Sequence, residues 1–93
     1  MDKQRVIELA HDIARRNEER LGNNNPQHIR LYGEPVRMIK LIDSGFTEFA
    51  AAILIEISKQ CHFKAVHAFN SSSQNTAFEL RDQIMQIAKE LTE

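Results

Sequence analysis

Apolar residues recur every three or four positions in four separate stretches of this chain, the spacing of helices that each turn a face inward. In residues 2–21, Val6, Ile7, Ala10, Ile13, Ala14 and Leu21 share a face, while Arg15, Glu18 and Glu19 lie away from it. Asp2 favours the first turn through the helix dipole. Gly22, Asn23, Asn24, Asn25 and Pro26 then stop the helix, and a loop follows in which residues 28–32 suit a short extended piece. Residues 35–43 have the length of a strand, but Pro35 at a first helical position and the recurrence of Pro35, Met38, Ile39 and Ile42 favour a short helix.

Residues 45–69 carry no proline or glycine after Gly45, and the rest of the chain is expected to organise around this segment. Phe46, Phe49, Ala50, Ile53, Ile57, Cys61 and Ala65 form one stripe, and Ala52, Ile55, Phe63, Val66 and Phe69 add apolar surface on other sides. A helix apolar on more than one face is one that becomes covered. Asp43 or Ser44 is placed to cap its start and Asn70 to close its end in the left-handed conformation. The competing reading stops the helix near His62 and makes residues 63–69 extended. In residues 74–92, Ala77, Leu80, Ile84, Ile87, Ala88 and Leu91 share a face, and Ser71 with Gln74, or Thr76 with Glu79, matches a capping box. The pattern predicts one all-α domain spanning 1–93, a bundle of three long helices (2–21, 45–69 and 74–92) and one short helix (35–43), with 45–69 as its core.

Composition narrows the function classes. Ninety-three residues suffice for one small core, burying about 60–65% of the extended chain's surface. Twelve basic against thirteen acidic residues leave a net charge of −1, which supplies no global field for displacing counterions from a nucleic acid. Cys61 is the only cysteine, so no intramolecular disulfide forms and a reducing compartment is expected. The charged N-terminus resembles no signal peptide and no apolar run reaches membrane-spanning length, which points to the cytoplasm.

The chemistry-bearing residues form no recognised constellation. Cys61, His62 and His67 point in different directions on one helix, and Glu8 with His11 supplies only half of the Glu-x-x-His arrangement of di-metal bundles, so no metal or other cofactor is expected. Cys61 reads as a core residue, inert when buried, and no phosphate loop, dinucleotide fingerprint or nucleophile elbow occurs. A catalytic role is therefore not expected.

Two surfaces are candidates for binding. His28, Arg30, Tyr32, Arg37 and Lys40 form a net-positive segment with the chain's only tyrosine, suited to a phosphate-bearing, nucleotide-like small molecule through arginine forks and a stacking ring. Phe46, Phe49, Leu54, Ile55, Phe63 and Phe69 exceed what three other helices readily cover, and surplus apolar surface of this kind marks a protein interface. The leading expectation is a non-enzymatic helical protein that forms a homo-oligomer and binds another protein, as an adaptor, inhibitor or regulatory subunit does. The alternative is a protein that sequesters or senses the anionic ligand.

Overall fold

In a computed structural model, which describes residues 3–21 and 32–93, the chain is a small all-α bundle: α1 (Lys3–Leu21), α2 (Pro35–Asp43), α3 (Thr47–Val66) and α4 (Ser71–Thr92). The expected stop of the first helix at 22–26 and the extended piece at 28–32 fall mainly on residues outside the described ones, as does Asp2.

The most extensive helix contact is between α3 and α4, with α1 laid across both and α2 against α3 and α1. Three side-chain links show the sense of the α3–α4 pair. Gln74 Nε2 donates to the Ala65 carbonyl at 3.3 Å, Arg81 donates to His62 Nδ1 at 2.8 Å, and Ser58 Oγ lies 3.1 Å from Met85 Sδ. The links nest inside one another, as in an antiparallel hairpin. Between the helices lie Ile53, Leu54, Ile57 and Cys61 of α3 with Ile84 and Ile87 of α4, all fully buried, joined by Val6, Ile7 and Ala10 of α1 and Met38 of α2. Ser58 is the one buried polar residue among those described, and its hydroxyl donates to the Ile55 carbonyl at 2.6 Å. The radius of gyration, 12.4 Å, is that of a compact chain of this length, about 12 Å.

The face expected of α4 is buried, with Leu91 half-covered at its end, while on the face expected of α2 Met38 is fully buried and Pro35, Ile39 and Ile42 are half-covered. The ends of α3 differ from expectation. Helix runs on past His62 to Val66, so residues 63–66 are not extended, yet it stops short of Phe69, with His67 as its C-cap. Asn70 is not the left-handed residue closing α3. Its backbone is extended (φ −139°, ψ 160°) and its side chain accepts from the Ser73 N–H at 2.8 Å, making it the N-cap of α4. Ser71 and Thr76 consequently lie inside α4 and form no capping box. The connection spans only residues 67–70, with His67 closing α3 and Asn70 opening α4, and the amide oxygen at α4's start satisfies a donor that would otherwise lack a partner.

Replacing Asn70 by Ala is expected to cost about 1 kcal/mol in urea unfolding, whereas Ser71→Ala changes stability by less than about 0.5 kcal/mol. Equal losses in the two variants would contradict the capping assignment.

Candidate functional site

The turn from α2 into α3 builds the first surface. Ser44 is the C-cap of α2, and Gly45 follows at φ +88°, a left-handed conformation that side-chain-bearing residues adopt only under strain. The Gly45 N–H donates to the Ile42 carbonyl at 3.1 Å and the Phe46 N–H to the Leu41 carbonyl at 3.0 Å, the two bonds of a Schellman motif. That motif brings Phe46 over Leu41 and leaves its ring 59% exposed at the head of α3. Neither Asp43 nor Ser44 caps α3, because Asp43 ends α2 and Ser44 closes it; the α3 N-cap position is Phe46, with no side-chain bond.

Beside this turn, Tyr32, Arg37, Lys40, Leu41, Ser44 and Phe46 line a shallow pocket of about 220 Å³. The Tyr32 ring meets Phe49 edge-on, with centroids 5.5 Å apart and planes at 74°. Three residues of the basic segment, Tyr32, Arg37 and Lys40, thus converge, and the Arg37 guanidinium is 3.6 Å from the Glu34 carboxylate across an exposed pair. His28 and Arg30 lie outside the described residues.

The second surface is the outward side of α3. Phe49 is 43% and Ile55 37% exposed, with Ala52 exposed between them. Below Ile55, α3 and α4 enclose an open groove of about 340 Å³ lined by Ala51, Ile55, Met85 and Ala88, with Asp82 and Lys89 on its rim. Met85, 43% exposed, belongs to this surface, and periodicity does not single it out because it lies one position off the buried stripe of α4. Val36 and Val66 are two further exposed apolar residues.

Leu54 does not belong with the interface residues. It is fully buried in the chain's own core, because the side of α3 that meets α4 passes through Leu54 and Ile57 and turns Phe49 and Ile55 outward. Phe63 is half-buried with its ring 4.3 Å from that of His67, and Phe69 projects from the α3–α4 turn at 93% exposure. Phe69 and the Phe49–Ile55 face are separated by most of the length of α3.

Potential reactive groups are dispersed. Cys61 is buried, and desolvation pushes its thiol from 9.0 up to about 12, leaving no thiolate at neutral pH. His62 accepts from Arg81, whose guanidinium also contacts Asp82 at 2.9 Å and stacks 4.7 Å from the Phe78 centroid. Among the described residues no three His, Cys, Asp or Glu side chains are placed to hold a metal, and no helix is long and apolar enough to cross a membrane. The chain matches no family model, no curated protein and no solved structure.

Because burial raises the folded thiol from 9.0 to about 12, the stability that Cys61 contributes is fully present below pH 9.0 and is lost as the pH rises toward 12. Denaturation curves from pH 7 to 11 are expected to show this loss in the parent chain and to lack its Cys61 component in Cys61→Ala, which starts from lower stability. A thiol reagent at pH 8 is expected to label Cys61 only on unfolding.

Proposed function

We propose that the protein acts by binding protein surfaces without catalysing a reaction, that its first partner is a second copy of itself, and that the outward side of α3 is the contact. The observation that carries this reading is the division of apolar residues on one helix. Ile53, Leu54, Ile57 and Cys61 already complete a buried core, yet Phe46, Phe49 and Ile55 stay substantially in water, with Met85 of α4 beside Ile55. Covering apolar surface contributes about 25 cal/mol per Å², and two-fold symmetry lets one patch cover its own copy. The oligomer so formed is the working unit of an adaptor, inhibitor or regulatory subunit. The single buried thiol suits the reducing cytoplasm.

Sedimentation velocity at micromolar concentration is expected to give a dimer or larger species for the parent chain and monomers for Phe49→Glu and Ile55→Glu. Both side chains are partly covered within the chain and Phe49 meets the Tyr32 ring, so each variant is expected to lose about 1–2 kcal/mol of unfolding free energy while remaining folded by circular dichroism. A monomeric parent chain over the whole micromolar range would refute the reading.

A second reading rests on the pocket that gathers Tyr32, Arg37 and Lys40. Under it the protein sequesters or senses a phosphate-bearing, nucleotide-like molecule, its phosphates held by the two cations and its base stacked on an aromatic ring. The volume of about 220 Å³ is below the usual small-molecule range of roughly 300–1,000 Å³, so such a ligand would remain partly in water. A nucleotide at 100 times its dissociation constant is expected to stabilise the fold by about 2.7 kcal/mol in thermal melts, an effect lost in Arg37→Ala and Lys40→Ala. Unshifted melts across a nucleotide panel would remove this reading.

A further inference from the structure

The exposed residues of α3 recur with an order that the self-association reading, on which this inference rests, does not use. Glu48, Ala52, Ile55, Lys59, His62 and Val66 are all exposed in part, His62 while also meeting Arg81 of α4, and are spaced alternately by four and three positions, the heptad seam of a helix that meets another helix. The buried residues Ala50, Ile53, Leu54, Ile57, Cys61 and Ala65 take the other side, so α3 carries one seam inward and a second outward. Along the outward seam the small Ala52 adjoins the large Ile55, and this pair is bracketed by an acid, Glu48, and a base, Lys59, at equal distances from its midpoint.

We propose that α3 pairs antiparallel with α3 of a second copy about a two-fold axis between Ala52 and Ile55. Ala52 then packs against the partner's Ile55, and Glu48 meets the partner's Lys59, each contact occurring twice. A large side chain opposite a small one lets the helices approach closely, and both ends close on opposite charges. A parallel pairing in the same seam would set Glu48 against the partner's Glu48 and Lys59 against the partner's Lys59, which selects the antiparallel sense. Lys59 also contacts Glu56 on its own helix at 3.0 Å, and an ammonium with three donors serves both carboxylates. From Glu48 to Lys59 the seam spans about 16 Å of helix, with Phe49 and Met85 flanking it.

The test is a charge-reversal set followed by sedimentation equilibrium at low salt, where exposed pairs are least screened. Glu48→Lys alone and Lys59→Glu alone are each expected to raise the dimer dissociation constant at least about tenfold, because each sets like charges together twice. An equimolar mixture of the two variants, and the double variant Glu48→Lys/Lys59→Glu, should return it to within about threefold of the parent value. Circular dichroism establishes that every variant is folded. A parent dimer that neither reversal weakens, or one weakened without rescue in the mixture, overturns the antiparallel register while leaving self-association standing. A monomeric parent chain removes both.

Discussion

The antiparallel packing of α3 on α4 is what the remaining contacts depend on, and it is governed by the shortness of the connection between them. Residues 67–70 allow no separation of the two helices at the turn, and Ala65 and Ala77, both buried, are the small side chains found at that end. Farther along, Ile53, Leu54, Ile57, Ile84 and Ile87 fill the space between them. The α1 helix then has one surface on which to lay Val6, Ile7 and Ala10, and α2 closes an edge with Met38. Because α3 is central, its rotation about its own axis decides which of its many apolar side chains become core and which become surface.

That rotation was the part of the fold least legible from sequence. The one-sided faces of α2 and α4 could be read directly from periodicity, because polar residues on the far side leave a single way to bury each helix. In α3 the same argument had no polar side to work against over the first half of the helix. Phe46 and Phe49 fall by periodicity on the stripe of the core residues and by surplus among the interface candidates, and they lie outside, while Leu54, counted with the same surplus, lies inside. The choice is made by contacts remote in sequence, above all the pairing with α4 that Ser58–Met85 and His62–Arg81 record. Asn70 is ambiguous in sequence for a related reason, since asparagine serves both at the close of one helix and at the opening of the next.

The candidate surfaces were legible to different extents. Tyr32, Arg37 and Lys40 were grouped by composition and do converge on one pocket, because helical spacing puts Arg37 and Lys40 one turn apart and Tyr32 approaches from the preceding segment. The stacking ring expected there, Tyr32, is joined by a second aromatic side chain, Phe46, that composition does not place in the pocket. Its place there depends on the Schellman turn at Gly45, whose hydrogen bonds carry Phe46 back over Leu41, a consequence of backbone geometry that residue types alone do not display. Met85 was missed because a single apolar residue beside a strong stripe carries little signal until the neighbouring helix is in place.

The Schellman turn ties the fold's interior to its surface. Phe46 is held by the hydrogen bonds that end α2 and it opens α3, so its ring is joined to the elbow between the two helices. Gly45 supplies the positive φ on which both hydrogen bonds depend, so the direction in which α3 leaves α2 and the direction in which the Phe46 ring projects are fixed together by one residue.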